Sequence, residues 1–108
     1  MTSVADLADM IGNGDVPSFD QINQALPQHP GLSWQIRTAA QGSIADAIFA
    51  VEVLFAGKAR WHVGYDCRAT VAVGDAPEMS AISVTPGHAL IVATLAAYAR
   101  TLPLADGA

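Results

Sequence analysis

Cysteine occurs once in this chain, at Cys67, so no internal disulfide can close. The N-terminus shows no basic-plus-apolar leader, and a reducing, cytoplasmic setting is the expectation. No run approaches the ~18 apolar residues needed to cross a bilayer, so no membrane partner is expected. Charge is sparse, at 14% of residues, while 52% are apolar, a balance that argues against disorder. Basic residues are the scarcest charged class: five Lys and Arg stand against ten Asp and Glu, a formal net charge of −5. The first of them is Arg37, and Asp6, Asp9, Asp15 and Asp20 all precede it. Nucleic-acid affinity comes chiefly from cations that neutralise phosphates, so no nucleic-acid partner is expected. An acidic mimic of DNA is equally disfavoured, because ten acids spread over 108 residues make no dense carboxylate row.

Chemical motifs are few as well. His29, His62 and His88 lie far apart, and no His-x3-His or Cys-x2-Cys spacing is present, so no metal is expected. The glycine-containing run at 12–15 lacks the preceding strand of a phosphate loop, and no cofactor is expected. Asp75 and Glu78 fall within one turn and read as solvated, as do Asp6 and Asp9 on the wet side of a helix. No constellation requires catalysis.

What is present is periodicity. One domain is expected over 1–108: a helical part at 1–26, a connecting loop at 27–42, and a helix-strand-strand-strand-helix core at 43–101. The first helix follows Ser3, with Asp6 three residues on and Val4, Leu7, Met10 and Ile11 on one face. The second follows Ser18, with Phe19, Ile22 and Leu26 as a stripe that Pro27 stops. Within 27–42 two prolines and two glycines predict a loop, with at most a short extended piece at 33–37 that turns Trp34 and Ile36 inward. Ser43 and Asp46 open a third helix, over 43–56, whose stripe is Ile44, Ile48, Val51 and Phe55. Thr85 caps and Pro86 begins the last one, over 86–101, ahead of Arg100 and Pro103, with a frayed tail beyond. Its two sides are both apolar, which predicts a central or sandwiched position.

Between them, residues 60–74 alternate with period two, the pattern of half-buried antiparallel strand. The run is too long for one strand, so a tight turn near 65–68 is expected to fold it into a hairpin. Trp61, Val63, Tyr65, Cys67, Ala69, Val71 and Val73 fall on the core side. Arg60, His62, Asp66, Arg68 and Thr70 fall on the other. A third strand is expected at 79–84. The fold class is therefore α+β: a small sandwich with a three- to four-stranded antiparallel sheet packed by helices. The helices at 43–56 and 86–101 would lie on one sheet face, and the N-terminal helices over the other face or an end.

The runs SIADAIFAVEVL, ARWHV and ATVAV, closed by VTPGHALIVATLAAYA, together resemble the bacteriophage α-β-α sandwich domain family. The matching positions are Ser43, Ala47, Trp61, Val63, Ala69, Val71, Thr85, Pro86, Ala89, Leu90 and Leu95, within about residues 43–100. The resemblance implies a sandwich fold and a phage or prophage origin. It transfers no catalytic residue, because the matching positions are structural, and the family's members have no established biochemical role.

The resulting expectation is a non-enzymatic phage accessory protein that binds a host protein or a small ligand. Arg60, His62, Asp66 and Arg68 are the candidate binding residues, with Trp34 as a separate contact. Two alternatives stand beside it: a structural homo-oligomer, in the simplest case a homodimer, built on an apolar helix face, or a small enzyme using His62 with Cys67 or Asp66.

Overall fold

The computed structural model describes residues 2–101, and the expected helix stop at Pro103 and the tail after it lie outside the described residues. The elements run α1 (Val4–Gly12), α2 (Phe19–Ala25), a 3-10 turn (Pro30–Leu32), α3 (Ser33–Ala40), α4 (Ile44–Leu54), β1 (Ala59–Val63), β2 (Arg68–Val73), β3 (Met79–Ile82) and α5 (Pro86–Thr101). The α+β class is as expected, with one three-stranded antiparallel sheet in the order β1-β2-β3.

Local chemistry accounts for most boundaries. Ser3 and Asp6 form a reciprocal capping box at α1, and Ser18 and Gln21 form another at α2. Ser43 Oγ accepts the Asp46 N–H at the start of α4, and Thr85 Oγ1 accepts the His88 N–H at the start of α5. Gly57, with φ of 75°, turns the chain out of α4.

The segment 27–42 is a correction. It holds the 3-10 turn and α3 rather than a loop with an extended piece. Pro30 sits at the first position of the turn, where its fixed φ and missing N–H are tolerated. On a helix, residues two apart point roughly 200° apart, so Trp34 and Ile36 cannot both turn inward. Ile36 is fully buried and Trp34 is exposed.

Layering follows from α5. Its residues Ala89, Leu90, Ile91, Ala93, Leu95 and Ala97 are buried on more than one side. The sheet packs on one flank of α5, and α1, α3 and α4 pack on others. The N-terminal helices therefore cover neither the far face of the sheet nor its end. They cover α5. The helix α4 likewise packs on α5 rather than flat on the sheet. A bond links it to the sheet: Trp61 Nε1 donates to Glu52 Oε1 at 2.9 Å.

Candidate functional site

Register decides which side chains share a face. Trp61 stands opposite Val71, and Val71 opposite Met79; Val63 stands opposite Ala69, and Ala69 opposite Ala81. Ala69 and Val71 are fully buried, so this is the face that α5 covers. On the other face, Arg60 stands opposite Ala72, His62 opposite Thr70, Thr70 opposite Ser80, and Arg68 opposite Ile82. Arg60, His62, Arg68, Ser80 and Ile82 are exposed there. The face is open.

The expected turn is present. The Cys67 N–H donates to Gly64 O at 3.1 Å and the Gly64 N–H to Arg68 O at 3.0 Å, which leaves Tyr65, Asp66 and Cys67 as a three-residue loop. Such loops end in a left-handed residue, usually glycine. Here it is Cys67, with φ of 60°. The turn interrupts the alternation, so two core assignments fail. Tyr65 is fully exposed, and Cys67 is a half-buried turn residue whose thiol faces Val84 O at 3.7 Å.

Four of the five candidate residues gather on or beside the open face. Asp66 accepts the Arg68 N–H through Oδ1 at 3.2 Å. A Cβ on Gly64 would lie 2.8 Å from Asp66 Oδ1 and 3.8 Å from His62 Cε1, so these two side chains flank Gly64 together. At the other end Arg60 Nη2 donates to Gly74 O at 3.2 Å. A shallow depression of about 280 Å³ runs along Arg60, Trp61, His62, Thr70, Ala72, Ala76 and Glu78. Glu78 and Ser80 join this surface from β3 and the turn before it, and the sequence pattern gave no sign of the pairing that brings them there.

Trp34 lies elsewhere. It is 62% exposed on α3 and stacks on Phe19 of α2, with ring centroids 6.2 Å apart and planes 11° from parallel. Arg37 sits over the Phe19 ring at 4.8 Å from its centroid. Phe19 was expected in the core stripe of α2, but it is 41% exposed. It occupies the first position of its helix, on the same side as the buried Ile22 but at the end of the stripe.

A second polar pair sits at the sheet end. His88 is buried, and its Nδ1 meets Ser83 Oγ. Its backbone N–H is held by Thr85, so His88 joins β3 to the start of α5. Among the described residues no group of three or more His, Cys, Asp or Glu converges as a metal site.

Comparison of the chain with known protein families, curated proteins and solved structures returns no match.

Proposed function

We propose that this protein acts by binding, with the open sheet face as its contact surface and an extended segment of another protein, paired to its two cations and two acids, as its partner. The observation that carries the reading is the one-sided sheet: α5 covers one face, and the other presents Arg60, His62, Arg68, Thr70 and Ser80 in register. Two of the five Lys and Arg, Arg60 and Arg68, share this one surface with two acids, Asp66 and Glu78. The depression on it, about 280 Å³ and open, falls below the ~300–1,000 Å³ of sites that enclose small ligands. A strand or loop of another protein fits a flat face better. With the resemblance to phage proteins, the partner is a component of a bacterial host, and the chain is a phage or prophage accessory protein.

Charge reversal tests this. Arg60→Glu with Arg68→Glu changes two exposed side chains and leaves the core intact. Quantitative capture from bacterial lysate is expected to lose at least one protein about tenfold or more relative to wild type, as removal of close charge pairs does elsewhere. Identical captured sets from the two proteins would overturn the reading.

One observation favours a second reading, a homo-oligomer. Three large apolar residues of α4 remain exposed: Ile44 at 41%, Phe49 at 49% and Val53 at 37%. Light scattering that shows a strict monomer at high concentration would remove it. The enzyme alternative has less behind it. Cys67 holds a turn position and faces Val84 O, while His62 stands on the open sheet face.

A further inference from the structure

We propose that the Phe19–Trp34 pair is a docking platform for an arginine-bearing segment of a partner protein, separate from the sheet face. The fold does not spend these rings on its core. The helix α3 buries Ile36, Ala39 and Ala40, and α2 buries Ile22. Trp34 remains 62% exposed, Phe19 41% and Val16 40%. Clustered exposed aromatics of this kind are where partner contacts concentrate energetically.

The platform already holds one cation. The Arg37 guanidinium lies 4.8 Å from the Phe19 centroid, within the ~6 Å range of cation–π attraction. Its Nη1 donates to Pro17 O at 2.9 Å, which fixes it there. Phe19 in turn lies nearly parallel to Trp34. Indole is the better ring for a cation, yet among the described residues no cation sits on Trp34. A second planar guanidinium stacked on the open indole would repeat the arrangement that Arg37 shows on Phe19.

The surrounding charge selects the same partner. Residues 1–36 contain Asp6, Asp9, Asp15 and Asp20 and no Lys or Arg. Asp15 and Asp20 are exposed and flank the 16–19 stretch, against the one partly buried guanidinium of Arg37. This field repels phosphates and carboxylates and draws a cation. Arginine is favoured over lysine because the guanidinium is flat, weakly hydrated and stacks. The sheet face lies on other elements and carries charges of both signs, so the two proposals stand or fall separately.

The test is an NMR titration that follows the indole N–H signals of Trp34 and Trp61. The probes are three capped pentapeptides of alternating glycine with arginine, lysine or citrulline, at millimolar concentration. The arginine peptide is expected to shift the Trp34 signal saturably. The lysine peptide should bind several-fold more weakly, and the uncharged citrulline peptide should leave the signal in place. Asp20→Asn should weaken the arginine response. Trp34→Ala should abolish the shifts at neighbouring α2 and α3 amides while the amides of the sheet keep their positions, which shows that the fold survives. Trp34→Phe should retain a reduced response. The proposal is overturned by no Trp34 shift, by equal shifts from the arginine and citrulline peptides, or by α2 and α3 shifts that persist in Trp34→Ala. A larger response to an oligothymidine would overturn it in favour of a nucleic acid. A Trp34 shift produced by protein concentration alone would assign the platform to a second copy of this chain.

Discussion

Gly87 carries no side chain because there is no room for one. A Cβ there would lie 2.7 Å from Gly42 O, 2.7 Å from Ile44 N and 2.8 Å from Ser43 C. All three are backbone atoms and cannot swing aside. The start of α5 is thus pressed against the turn that starts α4. Gly87→Ala must separate two helix starts, at a cost of about 1–3 kcal/mol or more, the range for overpacking a tight contact. For a domain of this size that lowers Tm by about 4–8 °C per kcal/mol. Gly31→Ala is the control, because nothing lies within 4 Å of a Cβ there. Thermal denaturation should separate the two variants clearly; equal Tm values would show that the close approach relaxes freely. The sequence around Gly87 announced the helix start through Thr85 and Pro86, but not this contact. A glycine near a helix start reads as permissive until its neighbour in space is known. Tyr65 teaches the same lesson from another side. Its odd position placed it with the core, and the turn that breaks the alternation puts it in water.

At the scale of the element, legibility tracked the capping chemistry. The helices α1, α2, α4 and α5 each begin with a Ser or Thr oxygen that accepts a backbone N–H. All four were legible. The helix α3 has no side-chain cap and begins directly after the 3-10 turn, so its start carries no local signal. Nearby prolines and glycines then read as loop. Its Thr38 hydroxyl bonds the Asp46 carboxylate of α4, a tertiary contact that no local pattern encodes. Capping also predicts a pH response. The Ser3 N–H donates to Asp6 Oδ2 at 2.9 Å and stabilises the carboxylate form. With the Ser3 hydroxyl also contributing, this holds Asp6 below its ordinary value of 3.8. A depressed folded-state value means the stabilisation is complete above 3.8 and lost as pH falls through the lower folded value. Amide exchange in the first turn of α1 is therefore expected to quicken, relative to an Asp6→Asn variant, only on crossing below that range. A difference that vanishes already at pH 5 to 6 would contradict the assignment.

The whole molecule is organised around one helix. The sheet meets α5 on one flank, and α1, α3 and α4 meet it on others. The apolar composition of both its sides made a central place legible, but which elements would surround it was not. Amphipathic stripes say that α1 and α4 bury a face; they do not say against what. The open sheet face is the clearest result of that ambiguity, since the N-terminal helices that could have covered it pack on α5 instead. Centrality has a measurable consequence. Leu90 is fully buried within α5, and Leu90→Ala should cost about 2–5 kcal/mol, a large share of the ~5–15 kcal/mol that holds a typical domain. The slowest-exchanging amides should belong to α5, and their exchange should require global opening. Denaturant dependence of exchange tests this; α5 amides that exchange faster than those of α1 would refute it.

The place of α5 in chain order adds a consequence of another kind. Of the described elements it is the last to be synthesised, yet α1, at the other end of the order, buries its apolar face against it. Until the stretch 86–101 leaves the ribosome, Leu7 and Ile11 of α1 and Ala69 and Val71 of the sheet have no common surface to close on. Folding of this domain then waits for residues 86–101, and a stalled or shortened chain that stops before residue 86 exposes two greasy halves with nothing to join them.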